Sequence, residues 1–308
     1  MKFFKWLSYL LITIAVAGLL SYVIAPYFLK PFDEQTLKQA PGDHIKLSQG
    51  QLHYRWDGPS QGPVIVLVHG LSTPHFVFEQ NTKALVGAGF RVLRFDHFGR
   101  GWSERPSARY DADFYDSELL ELLDKLGLKE PVGLVGLSMG GLISAEFAAR
   151  HPERISKLFL LAPAGLDTSS SADVLRIPVI GDWIWRLFGR SILLKTYLAR
   201  EPELPANELA GDVSVQMQYR GYLDALLSTI RNLSLSNNDS TFQRLNKAGV
   251  PIKVVFGELD AVVLPSSAQS LRSLAPKADI TMLPDARHNL AFARHQEVNS
   301  LLLEWFKN

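Results

Sequence analysis

The chain has 308 residues, 32 Lys+Arg against 31 Asp+Glu, 47% hydrophobic residues, 20% charged residues and no cysteine. Half-apolar composition excludes a disordered or collagenous chain, and a net charge of +1 lacks the dense basic surface a nucleic-acid partner requires. Without thiols there is no disulfide scaffold, Cys-ligated zinc, iron–sulfur cluster or cysteine nucleophile, while the redox compartment stays open.

No charged side chain occurs between Lys5 and Lys30, and Trp6 to Leu29 form an apolar run of 24 residues. As a helix it reaches about 36 Å, enough to cross a ~30 Å hydrocarbon core. Trp6 and Tyr9 near one end, and Tyr22 and Tyr27 near the other, stand where interfacial aromatics are favoured. A cleaved signal peptide is the rival reading, since Ala15-Val16-Ala17 before Gly18 resembles a cleavage site, but the run continues to Leu29. A core helix would show a polar stripe. Lys2 and Lys5 precede the run, whereas Asp33 and Glu34 follow Lys30. The positive-inside tendency then puts residues 1–5 in the cytoplasm and the chain after 6–29 outside it. Residues 30–43, with Pro31, Pro41 and Gly42, read as a tether.

From His44 onward short β-rich runs alternate with helical patterns. His44–Leu47 and Gln51–Trp56 suggest an antiparallel start, and Val64–Val68 is a β-branched run of the kind buried on both faces of a parallel sheet. Arg91–Phe95, Val132–Leu137, Lys157–Leu161, Ile252–Phe256 and Asp279–Leu283 are further strand candidates. Helical patterns cover Phe76–Val86, Tyr110–Leu126, Met139–Arg150 and His295–Phe306. Alternation at this spacing predicts a mostly parallel α/β sheet flanked by helices, with ligand-binding loops at the strands' carboxyl ends. The interval 166–249 breaks the rhythm. Its 84 residues contain no convincing strand but include Trp183, Trp185, Phe188, Tyr197, Met217 and Tyr222. That is too long for a structureless loop, and we read it as a helical lid inserted into a core of 44–165 and 250–308. Its aromatic side chains suit a pocket wall and a packing face equally.

Gly136-Leu137-Ser138-Met139-Gly140-Gly141 follows one strand candidate and opens a helix, the G-x-S-x-G elbow pattern. Glycine neighbours let the backbone turn sharply and expose a serine hydroxyl at a helix N-terminus. A serine needs a base and the base an orienting carboxylate. His288 lies in the loop after Asp279–Leu283, whereas His295 falls in the last helical pattern. Asp260, just beyond Ile252–Phe256, is favoured as the acid over Glu258 and Asp285. His69-Gly70-Leu71-Ser72 ends Val64–Val68, so the N–H groups of Leu71 and Met139 are the expected oxyanion donors. His69 reads as structural, and Asp96 as a cap of its own turn. His69 and His75 lie near each other without a completed metal-ligand pattern, and no phosphate loop or dinucleotide fingerprint occurs.

Val-His-Gly-Leu-Ser (68–72), Phe-Asp-His-Phe-Gly-Arg-Gly-Trp-Ser (95–103), the elbow (136–141), Phe-Gly-Glu-Leu-Asp (256–260) and His288 together resemble the α/β-hydrolase fold family over about 44–308, apart from the lid. The likeness is to the serine branch of monoacylglycerol-lipase-like esterases, carbon–carbon bond hydrolases and cofactor-free haloperoxidases. An anchor before a hydrolase domain is a further similarity to some monoacylglycerol lipases. The expectation is hydrolysis of carboxylic esters, lipid-like or acylglycerol in character, by Ser138, His288 and Asp260 without cofactor or metal. The alternatives are a carbon–carbon bond hydrolase, to which Arg220 could supply a polar lid group, a haloperoxidase, or a non-catalytic ligand-binding protein on the same scaffold. Oligomeric state has no sequence signature here.

Overall fold

The computed structural model describes residues 2–168, 173–200 and 209–307. Its strands are β1 (Asp43–Leu47), β2 (Gly50–Asp57), β3 (Val64–Val68), β4 (Arg91–Phe95), β5 (Val132–Leu137), β6 (Ile155–Leu161), β7 (Ile252–Gly257) and β8 (Asp279–Leu283). The numbered helices are α1 (Lys2–Ile24), α2 (Glu79–Gly87), α3 (Ala112–Lys125), α4 (Met139–Arg150), α5 (Ile180–Arg200), α6 (Tyr222–Asn232), α7 (Asp239–Ala248), α8 (Ser267–Leu274) and α9 (His295–Lys307), and a further helix covers Leu209–Gln216.

The strands form one sheet in the order β1-β2-β4-β3-β5-β6-β7-β8. Strand β2 is antiparallel to β1 and β4, and the remaining pairings are parallel. The central strands β3, β5 and β6 are buried almost throughout because helices cover both faces. Helix α3 begins where the Asp111 carboxylate accepts the Phe114 N–H at 3.0 Å, satisfying a first-turn donor. The mostly parallel α/β sheet flanked by helices that the alternation leads one to expect is therefore present.

Some boundaries differ from the sequence expectation for local reasons. Strand β6 starts at Ile155 rather than Lys157 because Ile155 pairs with Val132, with an irregularity before the next pair. The first turn of the 76–86 pattern is a 3₁₀ turn, His75–Phe78, after Pro74. Helix α8, unanticipated, buries only Ser267, Ala268 and Leu271, too short a stripe to read. The apolar run 6–29 divides at Pro26, which lacks the N–H a continuing helix needs. Helix α1 ends at Ile24, and a 3₁₀ turn covers Ala25–Phe28.

The expected tether is not a free one. The Lys30 N–H donates to the Gln218 carbonyl at 2.8 Å, and the Arg220 N–H to the Lys30 carbonyl at 3.0 Å. Asp33 then caps the short helix Glu34–Leu37 through Thr36.

Among the described residues, 166–249 contain no strand of the sheet, and the interval divides by packing. Leu175, Trp185, Val213, Met217, Tyr222, Leu226, Leu227 and Ile230 form an apolar cluster of their own. Helix α7 instead lies against α4, and its Phe242 and Leu245 join the main core.

Candidate active site

Ser138 stands between β5 and α4 with φ 55° and ψ −118°, a conformation few non-glycine residues adopt. Its surroundings hold it there. The Ser138 N–H donates to the Leu161 carbonyl at 2.9 Å, and its own carbonyl accepts the Ala164 N–H at 2.9 Å. A Cβ at Gly136 would collide with the Gly140 carbonyl, and one at Gly140 with the carbonyls of Val68 and His69. These two glycines therefore let the elbow close on itself and rest against the end of β3. A Cβ on Gly70 would lie 3.5 Å from that of Ser138, so the turn after β3 is a neighbour of the serine.

The structure brings together three residues from three strand ends. His288 Nε2 lies 2.9 Å from Ser138 Oγ, and His288 Nδ1 lies 2.8 Å from Asp260 Oδ2. The other Asp260 oxygen accepts the N–H groups of Val262 at 2.7 Å and Val263 at 3.0 Å. Asp260 is buried, whereas the imidazole keeps a 13% exposed edge. The arrangement suits proton transfer from the hydroxyl to a ring whose far nitrogen faces a fixed carboxylate. His295 is elsewhere, its Nδ1 3.1 Å from the Phe292 carbonyl.

Leu71 and Met139 border the cavity above Ser138, and among the described residues neither amide donates a hydrogen bond within the chain. The Leu71 carbonyl is held from behind by Arg100 Nε at 3.1 Å, while Arg100 Nη2 donates to Thr229 Oγ1 of α6 at 2.7 Å. Tyr222 adds a second tie, donating its hydroxyl to the Ser72 carbonyl at 2.7 Å.

The cavity measures about 250 Å³, and the interval 166–249 contributes Thr168, Arg176, Leu193, Thr196, Ile230, Leu235 and Ser236 to its wall. Trp183, Trp185 and Phe188 do not line it. Trp185 is buried in the lid's own cluster with its Nε1 on the Leu223 carbonyl at 2.7 Å, and Trp183 packs edge-on to Phe188. The Tyr197 side chain lies outside the described residues. Arg220, the polar group the carbon–carbon reading would use, does not line the cavity; its Nε donates to the carbonyls of Pro26 and Leu29 at 3.1 and 3.3 Å. Arg176 is the cation at the cavity wall, which sequence position alone did not single out.

Two histidine networks lie beneath the site. Asp96 accepts from Trp102 N–H at 3.0 Å, within its own turn as expected, but also from His75 N–H at 2.9 Å and from His53 Nδ1 and His75 Nδ1 at 2.8 Å each. His53, His75 and Asp96 form a group of possible metal-ligating atoms, and their mutual hydrogen bonds account for it. Burial alone would raise the Asp96 carboxyl, but the two imidazoles outweigh burial and hold it well below the usual carboxylate range. Burial opposes charge on His53 too, yet Asp96 and the Pro41 carbonyl, 2.9 Å from Nε2, lift it above 6.5. With both ring nitrogens facing acceptors, His53 donates from both.

In the second network His69 offers Nδ1 to the Gly70 carbonyl at 2.8 Å and accepts the His97 N–H on Nε2 at 2.9 Å. Its ring is thus occupied by neighbouring loops. His97 Nδ1 bonds Glu118, which also accepts the Phe98 N–H at 2.7 Å. Burial pushes Glu118 up to about 8 and His97 down to about 3, so the pair is neutral. Glu118→Gln, which keeps a donor and an acceptor in place, is expected to change the unfolding free energy measured in urea at pH 7 by less than about 1 kcal/mol, against roughly 3 for Glu118→Ala. Equal losses for the two would mean the glutamate is ionised. The sequence signal these networks offer is slight: His69 and His97 each stand within two residues of a strand's end.

Comparison with known proteins bears on the fold that carries these residues. Residues 63–214 match the alpha/beta hydrolase fold family. A Synechocystis protein assigned by name to the non-heme chloroperoxidases is 26% identical over 80% of this chain and 92% of its own length. Human monoacylglycerol lipase ABHD6 is 26% identical over 83% of this chain and 79% of its own. The crystal structure of the enol-lactonase from Burkholderia xenovorans LB400 superposes with a TM-score of 0.73 at 25% identity, covering 86% of this chain and all of that one.

Proposed function

This chain is an α/β-hydrolase-fold protein, and we propose that it hydrolyses carboxylic esters through an acyl-enzyme on Ser138. The observation that carries the reading is the unbroken line from Ser138 Oγ through His288 to Asp260 at the floor of a largely apolar cavity. His288 takes the hydroxyl proton as oxygen attacks the ester carbonyl and returns it to the departing alcohol. Asp260 holds the ring and balances its charge. The N–H groups of Leu71 and Met139 receive the oxyanion, each worth roughly 3 kcal/mol in the transition state. Water then attacks the acyl group by the same route.

The substrate class we favour is lipid-like esters such as acylglycerols. The support is the apolar cavity, the likeness to monoacylglycerol lipase and the apolar N-terminal helix. We read that helix as a single-pass anchor with residues 1–5 in the cytoplasm and the catalytic body outside, a secreted form cleaved after Ala17 being the rival. Carbon–carbon cleavage and halogenation draw on the same three residues, and Arg220 no longer supports the former.

The test is labelling of detergent-solubilised full-length protein by a fluorophosphonate probe, wild type beside Ser138→Ala. Labelling that vanishes in the variant, with acylglycerol turnover in the wild type, is expected. A folded wild type that takes no probe would sink the hydrolase reading and leave a ligand-binding protein.

A further inference from the structure

The end of α1 is bound to the lid side by side, not through a linker. Trp183 Nε1 donates to Ser21 Oγ at 3.2 Å. The Arg186 guanidinium stands 4.1 Å from the Tyr22 ring centre and donates to the Tyr22 carbonyl at 3.4 Å. Lower down, Arg220 and the Lys30–Tyr219 bridge fix the turn that follows, and Arg105 lies 4.0 Å from the Phe32 ring centre. Ser21 is seven residues before Phe28, about 10 Å back along a helix axis. The start of α5 is therefore level with the last turns of the apolar run.

That part of the lid is unusual on its surface. Beyond Phe28, the exposed large apolar side chains among the described residues include Val174, Ile177, Val179, Ile180, Phe188 and Ile192, against only Val215, Leu259 and Leu264 elsewhere. Val179 is 77% and Phe188 50% exposed. Arg176, Arg186, Arg190 and Lys195 share the segment. Its acid, Asp182, is already paired with Arg231 at 2.8 Å. Exposed apolar side chains among basic ones mark a helix that lies in a membrane interface.

We infer that the apolar face of residues 174–192 lies in the headgroup–acyl boundary of the bilayer that holds α1, making the cover of the active-site cavity a membrane-surface element. The inference rests on α1 as a membrane helix and, for its consequence, on the ester-hydrolase reading. Helix α5 offers Leu193 and Thr196 to the cavity while Phe188 and Ile192 face outward. A lipid ester leaving the bilayer thus has one helix to pass before it meets Ser138.

The absence of cysteine makes single-cysteine labelling clean. Full-length Ile180→Cys and Phe188→Cys, each carrying an environment-sensitive fluorophore, are reconstituted in vesicles of phosphatidylcholine and phosphatidylglycerol. Lys129→Cys, in the exposed turn that enters β5 at the opposite end of the sheet, serves as reference. Lipid-borne doxyl quencher is expected to remove about half or more of the emission at 180 and 188 and little at 129, with aqueous iodide giving the reverse. Iodide quenching at 180 and 188 equal to that at 129 overturns the inference. So does protection from both quenchers, which would place another protein surface, such as a second copy, over the patch. Fluorophosphonate labelling in the same vesicles reads Ser138 independently. Lipid quenching without labelling keeps the docking and rejects the hydrolase, and labelling without lipid quenching does the opposite.

Discussion

Ser138→Ala is expected to lower ester turnover by roughly 10⁴- to 10⁶-fold while circular dichroism and thermal midpoint stay near wild type. The expected loss is large because the proposed mechanism makes the hydroxyl the attacking atom, and the fold is spared because the backbone bonds to Leu161 and Ala164 hold the elbow. His288→Ala should cost about as much. The double variant should be no worse than either single one, since a base with no nucleophile to activate contributes nothing further. His295→Ala should stay within a few-fold of wild type, because that ring bonds the Phe292 carbonyl and not the serine. The measurement is kcat on a short-chain ester in detergent. Losses that multiply between Ser138 and His288, or a collapse at His295, would contradict the roles proposed.

Asp96→Asn should show the largest stability change, about 3–5 kcal/mol, because it removes the charge that faces two buried imidazoles. Its pH dependence has a definite sign. The folded Asp96 carboxyl is held below its ordinary value of 3.8, so its contribution is present above that value and disappears as pH falls through the folded one. The folded His53 ring is raised above 6.5, so its contribution is complete below 6.5 and disappears as pH rises through the folded value. Both are fully present between 3.8 and 6.5. Urea midpoints of wild type and Asp96→Asn should therefore differ most near pH 5 to 6, and the difference should narrow toward pH 8 by the His53 share while the Asp96 share persists. A difference that is flat over that range would mean His53 carries no charge.

Val64–Val68 and Val132–Leu137 were legible because their apolar runs are continuous and bounded by turn residues. Ser138, Asp260 and His288 were legible because each follows a strand closely, and parallel strands deliver their carboxyl ends to one edge of the sheet. The Asp96 network was not. His53 reaches Asp96 because Tyr54 pairs with Phe95 in the antiparallel register of β2 and β4, which nothing local to either residue announces. The join between Lys30 and Tyr219 is likewise invisible in a segment whose prolines suggest a loose tether. Trp183, Trp185 and Phe188 divide between interior and surface by which face of α5 they occupy. That became readable only once α1 and α6 were seen on either side.

The segment between Leu175 and Ile230 keeps its own eight-residue apolar cluster, apart from the larger core around the sheet. Free energy of local opening follows the apolar surface an element must give up. The cover over Ser138 is therefore the region with the least to lose by separating, and the sheet that carries Asp260 and His288 has the most. Access and rigidity are assigned to different parts of one chain, so amide protection should fall from the strands to α5 and α6 without any change in the spacing of Ser138, His288 and Asp260.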